Sequence, residues 1–228
     1  MELADVSNNY VWLTLMGPKT RHFLSALNGE KVTKDDELMW IDKFGEQFPA
    51  FLNNHLYVPA YNICLPVDKS REIAQWLNER LKDCQGGLIG DTAFQITRVE
   101  SGMPDWGTEL NENYNPHEAR LLNAVSFTKG CYTGQEVIAR LDTYDKVQKY
   151  LMIIEIQEGI DQSPPLDIFL DEEKIGVLTS YVFDPLTDKS VGLGYIKKMY
   201  AHEDYNLQVE VDIGERKIQS ILRLPPSL

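Results

Sequence analysis

Cysteine is scarce in this chain. Its three cysteines, Cys64, Cys84 and Cys131, are odd in number and show no C-x-x-C spacing. That argues against a disulfide framework and against a self-contained zinc or iron–sulfur site. The four histidines, His22, His55, His117 and His202, are scattered without metal-ligand spacing, so no metal site is expected. Bases are also short: 22 Lys and Arg face 35 Asp and Glu, a net charge of −13. Such a balance repels nucleic-acid backbones unless basic residues cluster. No basic stripe alternates with aromatics, and Lys197-Lys198 reads as a solvated pair, so no nucleic-acid partner is expected. No apolar run is long enough to span a bilayer, and the start carries neither a signal peptide nor an Arg-rich transit pattern. No membrane association and a cytoplasmic location are the expectation, or an organelle if an upstream targeting segment has been lost. Phosphate loops, Ser/His/Asp constellations, internal repeats and low-complexity tracts are likewise missing.

What remains is ordinary globular material. Hydrophobic residues make up 43% of 228 positions, enough to core one large domain or two small ones. Tyr10 to Met16 is strand-like, and Gly17-Pro18 opens a helix with the stripe Phe23, Leu24, Leu27, closed by Asn28-Gly29. Strands are expected around Leu38–Ile41, Ala50–Leu52, Leu56–Val58 and Tyr61–Val67. The spacing of Ile73, Trp76, Leu77 and Leu81 predicts an amphipathic helix over 70–84, capped by Asp68 or Ser70. Strand, helix, strands, helix is an α+β pattern of ferredoxin-like type. A third helix is expected over 92–101 with Gly102 as its C-cap, followed by a loop over 103–120. From Val147 the character changes to six short, evenly spaced strands, which predict a small C-terminal antiparallel β-barrel. The domain boundary falls near residue 146, dividing the chain into 1–145 and 146–228.

The segment Lys129-Gly-Cys-Tyr-Thr-Gly-Gln-Glu136 is the most informative stretch. Two glycines around a cysteine allow a sharp turn and a close backbone approach. Thr133 and Glu136 fit a capping box, which predicts a helix from Gly134. That helix end and the Lys129 ammonium would both favour a thiolate at Cys131. Cys131 admits three readings: a packed core residue, a redox-sensitive thiol, or a transient holder of sulfur, metal or partner. Any cluster role would need ligands from another chain or a small thiol.

Glu100 is the second position of interest. On the third helix it lies on the line of Ala93 and Ile96, where burial and the dipole both disfavour a carboxylate. It is either a salt-bridged or solvated helix-end acid, or a ligand acceptor. Arg98 either braces that carboxylate or carries its own bridge. Arg140 lies four residues after Glu136, which predicts an ion pair. Asn115 and Glu118 read as solvated loop residues.

These residues sit in an ordered set of blocks. Gly90-Asp-Thr-Ala93, Arg98-Val-Glu100-Ser-Gly102-Met-Pro104, Glu109-Leu110, Tyr114-Asn-Pro-His-Glu118-Ala119 and the Cys131 segment follow one another over about fifty residues. Together, with Ser126-Phe127 before and Ala139-Arg140 after the cysteine block, they resemble the folate-binding YgfZ family, relatives of the aminomethyltransferase (T-protein) of glycine cleavage. The resemblance implies tetrahydrofolate or a derivative as ligand, with Glu100 accepting two donors along the pterin edge. Arg98, Tyr132, Gln135 and Arg140 are the further candidate folate-binding residues, and Cys131 with Lys129 the candidate reactive pair. It implies an accessory role in iron–sulfur cluster assembly or repair, with client or assembly proteins as partners. The alternatives are a folate-dependent aminomethyl or methyl transferase, or an interaction module without folate. The resemblance further implies that Met1 stands before an internal strand and that one wall of the folate pocket lies outside this chain, so that folate binds weakly.

Overall fold

A computed structural model describes residues 3–33, 37–144, 146–201 and 206–226; His202 lies outside them. The chain divides into two compact units, Met1–Gly90 and Asp91–Leu228.

In the first unit, residues alternate along β1 (Tyr10–Met16), β2 (Leu38–Lys43), β3 (Glu46–Leu52) and β4 (Ala60–Pro66). The sheet is antiparallel throughout, in the order β1-β4-β3-β2. One face carries Ile41, Phe48, Ala50, Ile63 and Leu65 into a core. Two helices cover that face: α1 (Thr20–Asn28) with Phe23 and Leu24, and α2 (Ser70–Leu81) with Ile73 and Leu77. This is the α+β arrangement that the alternating and 3.6-residue periods predict. Gly29 ends α1 in the left-handed conformation, φ 76°.

Two local expectations are corrected here. Leu56–Val58 is a bend following a turn at residues 54–55, not a strand. The Asn53 carboxamide accepts from the His55 N–H at 3.0 Å, and the Asn53 N–H donates to the Ala60 carbonyl at 2.9 Å, so residues 53–59 close the β3–β4 connection. The α2 N-terminus lacks the expected side-chain cap. Lys69 holds the N-cap position, and the Ser70 hydroxyl donates to the Val67 carbonyl at 2.8 Å.

The second unit starts with α3 (Asp91–Glu100) and includes α4 (Gln135–Thr143). Strands β5 (Lys149–Ile156), β6 (Leu166–Leu170), β7 (Glu173–Asp184), β8 (Lys189–Lys197), β9 (Leu207–Asp212) and β10 (Lys217–Arg223) close into a barrel, in the order β10-β5-β8-β7-β6-β9. Met152, Ile154 and Ile156 fill the barrel with Ile168, Leu178 and Val211. The intervening Leu151 and Ile153 point outward, yet they are buried too, packing with Leu193, Tyr195, Val99 and Ala119. That explains why β5 reads as a continuous apolar run: its outer face is covered by α3 and the segment after it. Strand patterning begins near residue 146, but spatial compactness divides the chain at Gly90, because α3 packs on β7 and β8. The end of α3 is a Schellman motif. Met103 N–H donates to the Arg98 carbonyl at 3.0 Å and Gly102 N–H to Val99 at 2.9 Å. Gly102 has φ 71°, and a Cβ there would overlap the Pro225 ring.

Candidate functional site

Arg98 and Val99, not the line of Ala93, form the buried face of α3; Ala93 is exposed. Glu100 is therefore half-buried beside the core-facing stripe rather than on it. It stands near the C-terminal end of the helix as expected, although α3 ends at Glu100 and not at Ser101.

Arg98 takes the second of its two expected roles. It is only 5% exposed, and its guanidinium donates to the Gln95 carboxamide oxygen at 2.7 Å and to the Met103 carbonyl at 2.7 Å. The nitrogen that reaches Met103 also meets Glu109 at 3.4 Å, and the other terminal nitrogen meets the Ser180 hydroxyl on β7 at 3.5 Å. Glu109 is completely buried. One of its oxygens also accepts from the Asp105 N–H at 3.0 Å and the Thr108 hydroxyl at 2.9 Å. The other accepts from the Thr179 hydroxyl at 2.5 Å. The Glu109 carbonyl accepts from the Tyr195 hydroxyl at 2.9 Å. Through its carboxylate and its backbone carbonyl, Glu109 thus ties α3, the loop after it and strands β7 and β8 together. Burial, first, and then the charges of Glu109, Tyr114 and Glu118 push the Tyr195 phenol well above its ordinary range.

Asn115 and Glu118 are not the solvated loop residues expected. Glu118 is buried, its carboxylate accepting from the Asn115 N–H at 3.1 Å while the Asn115 side chain accepts from the Glu118 N–H at 3.1 Å. The Glu118 carbonyl also accepts the Leu151 N–H at 2.8 Å. Next to them, Tyr114 stacks on Tyr195 with ring centroids 3.6 Å apart, and Lys149 lies 4.3 Å over the Tyr114 ring. His117 is buried, a ring nitrogen 3.0 Å from the Ile138 carbonyl. The Asn-x-x-Glu spacing was a readable sign of the reciprocal pair. Nothing local marks Glu109 as buried, because its donors come from four separate segments.

Cys131 is exposed, in the loop that precedes α4. The expected capping box is not formed. Gly134, at φ 89°, takes the N-cap position with no side-chain cap hydrogen bond, and the helix begins at Gln135. Thr133 therefore stands one residue too early to cap. The Lys129 ammonium lies 4.6 Å from the Tyr132 ring centroid, while the Lys129 N–H donates to the Ser126 hydroxyl at 3.1 Å. The N–H of half-buried Gln135 donates to the Tyr132 carbonyl at 3.2 Å. Arg140 is exposed and, among the described residues, forms no ion pair with Glu136. The structure thus joins Lys129, Tyr132 and Gln135 in one loop-to-helix turn, and sets Arg98 into a separate buried network.

Two cavities stand out. One of about 310 Å³ in the first unit is lined by Gly17, Lys19, Phe23 and Cys84. The other, about 390 Å³ on the barrel, is lined by Tyr114, Tyr195, Lys149, Lys174 and Lys197. None of the candidate site residues lines either cavity. Among the described residues no three His, Cys, Asp or Glu side chains are grouped to hold a metal ion. None of their helices is long and apolar enough to cross a membrane.

Comparison with known proteins accounts for this architecture. Residues 1–129 match the GCVT N-terminal domain, and residues 149–226 match the glycine cleavage T-protein C-terminal barrel domain. A putative chloroplastic transferase of Arabidopsis thaliana is 29% identical over 216 residues, covering 94% of this chain and 49% of that protein. The aminomethyltransferase of Caldanaerobacter subterraneus is 26% identical over 225 residues, covering 97% of this chain and 59% of the relative. The crystal structure of aminomethyltransferase T from Bartonella henselae superposes with a TM-score of 0.72 at 22% identity, over 96% of this chain and 60% of that one. The chain therefore spans about half to three fifths of the length of these relatives. With family models matched along both the α+β region and the closed barrel, the chain belongs to the glycine cleavage T-protein family.

Proposed function

We propose that this chain is a folate-binding accessory protein of the YgfZ type, serving iron–sulfur cluster assembly or repair in client enzymes of the cytoplasm. In this reading residues 1–145 belong to the folate-binding region, and residues 146–228 form the barrel domain that supports it. The observation that carries the reading is the exposure of Cys131 on a surface turn beside Lys129 and Tyr132. A thiol that meets another protein is best placed on such a turn, whereas one acting on a small substrate needs an enclosed, water-poor site. A cluster would be cargo shared with a client, since one thiol supplies one ligand.

The residues present fit tetrahydrofolate in part. Glu100, half-buried at the end of α3, suits the paired donors of a pterin edge, which one carboxylate accepts in bidentate geometry. Arg98 does not suit it, because its guanidinium is committed to Gln95, Met103, Glu109 and Ser180. Tyr132, Gln135 and Arg140 remain as candidates for the rest of the molecule. Bound folate would supply a one-carbon carrier or a structural ligand; the chain's own part is to orient it through Glu100.

A second reading, folate-dependent aminomethyl or methyl transfer, is favoured by the names of the relatives, several of which are aminomethyltransferases. Calorimetry with 5-formyltetrahydrofolate, and iron–sulfur enzyme activity in cells depleted of the endogenous protein, test the first reading. Weak folate binding is expected, and Glu100→Gln should weaken it at least about tenfold, the loss of one bidentate charged contact. Cys131→Ala should abolish rescue while leaving stability unchanged. Full rescue by Cys131→Ala would remove the thiol from the function. Turnover of an aminomethyl donor with tetrahydrofolate would favour the transferase.

A further inference from the structure

The cavity of about 310 Å³ in the first unit is lined by the junction of β1 with α1 and by the end of α2 with the residues after it. Its wall is mainly apolar, made by Leu15, Met16, Pro18, Phe23 and Leu81. Three polar features interrupt that wall. Thr20, the first residue of α1, is 3% exposed, and its hydroxyl is buried without a partner among the described residues. Further along a helix such a hydroxyl turns back to a carbonyl, as Ser25 does to Arg21 at 2.6 Å. At the first helical position no helical carbonyl lies four residues back, so its own helix offers Thr20 no acceptor. Lys19, beside it, donates to the Cys84 carbonyl at 3.2 Å and to the Gln85 side-chain oxygen at 3.3 Å. Among the described residues its ammonium meets no carboxylate, and no Asp or Glu lines the cavity. The third feature is the N-terminus of α1 itself, which no side chain caps.

We infer that this cavity binds a small organic acid, its apolar body against Met16, Phe23 and Leu81 and its carboxylate between Lys19 and the Thr20 hydroxyl. An uncapped helix start and an ammonium with only neutral acceptors both favour negative charge, and they stand in one wall. In a chain of net charge −13, a wall free of acids is a place where an anion is not repelled. The Thr20 hydroxyl is the deciding observation. Valine would fill nearly the same volume without the cost of an unsatisfied buried polar group, so the oxygen stands where the acceptor of a ligand completes it. The volume is at the small end for ligand sites and holds about ten non-hydrogen atoms at roughly 30 Å³ each. A carboxylate on a single ring with a short spacer is of that size. The site shares no residue with the folate reading and does not depend on it.

Titration of the whole ¹⁵N-labelled chain with 3-phenylpropionate, followed by amide NMR shifts, tests this inference. Saturable shifts at residues 15–23 and 81–86 are expected, with a dissociation constant on the order of 1 mM or below, as befits so small a ligand. The neutral alcohol 3-phenylpropanol, with the same body, should bind at least about fivefold more weakly, and so should acetate, which has the charge without the body. Lys19→Gln and Thr20→Val should each weaken 3-phenylpropionate at least about fivefold. Thr20→Val separates binding from folding, because its urea midpoint should stay level or rise while its affinity falls. Independently of any variant, saturating 3-phenylpropionate should slow alkylation of Cys84, which lines the cavity, and leave Cys64 unchanged. No shifts at about 10 mM ligand, or equal binding of the acid and the alcohol, would overturn the inference. A Thr20→Val variant that loses stability and keeps its affinity would overturn it too, by giving the hydroxyl to the fold.

Discussion

Removing the Arg98 side chain tests whether the buried network around Glu109 holds α3 and its loop to the barrel. In Arg98→Met the aliphatic volume is largely kept, but Glu109 stays fully buried without the one cationic partner it has among the described residues. Breaking a buried pair by deleting one partner costs about 3–5 kcal/mol. Here the ion-pair distance is long, 3.4 Å, and the Asp105 N–H, Thr108 and Thr179 hydroxyls still serve the carboxylate. The lower end applies to that part. The Met103 carbonyl also loses its side-chain donor, about 1 kcal/mol more at a partly buried site. A total of about 4 kcal/mol lowers a urea midpoint by about 2 M for a slope near 2 kcal/mol/M. The assay is urea unfolding of the whole chain by circular dichroism, with coincident probes to establish which unit melts. The pair Arg98→Met with Glu109→Gln should recover at least about 1 kcal/mol of the loss, because the charge left uncompensated is gone. A single variant within about 0.5 kcal/mol of the parent, or a double variant no better than the single, would refute the reasoning.

Gly102→Ala should destabilise the second unit by at least about 2 kcal/mol, combining a left-handed backbone with overlap against Pro225; an unchanged melting temperature would show that the chain end yields freely. Alkaline unfolding should report Tyr195. Its folded phenol holds its proton above the ordinary value of 10.0, so its contribution is intact below about pH 10 and declines as pH rises further, by up to about 1.4 kcal/mol per pH unit. Tyr195→Phe should flatten that decline in urea midpoints between about pH 9 and pH 11, and an equally steep profile would contradict the assignment. Brief iodoacetamide treatment with mass spectrometry should label exposed Cys131 before half-buried Cys64, whose thiol burial pushes up. The reverse order would mean that the Cys131 turn is closed in solution.

Fold class was legible because it depends on period. The six barrel strands and three of the four helices follow from alternation or from stripes such as Phe23, Leu24 and Leu27. Leu56–Val58 failed because three apolar residues carry no period, and the Asn53 turn was free to decide their conformation. The N-terminal helix caps failed for a related reason, whereas the glycine stops at Gly29 and Gly102 held. Thr133 and Glu136 have capping-box spacing, but the left-handed Gly134 between them delays the helix by one residue.

The candidate site was legible only where it is local. The Cys131 turn can be read from two glycines and a lysine, since the residues that shape it are its neighbours. Glu109 is different. Its partners lie at positions 98, 105, 108 and 179, so no window of sequence contains the reason for its burial. A carboxylate in an Asn- and acid-rich loop is solvated by default, and only the closing of the barrel against α3 reverses that. The same non-local packing takes Arg98 away from Glu100. One helical turn therefore holds two residues of opposite destiny. Arg98 is locked into a network whose loss should be felt as stability, and Glu100 stands beside it at the helix end, where its loss should be felt as binding. Comparing the two substitutions in one folate titration and one urea titration separates architecture from function at this helix. Arg98→Met should move the midpoint, and Glu100→Gln the affinity.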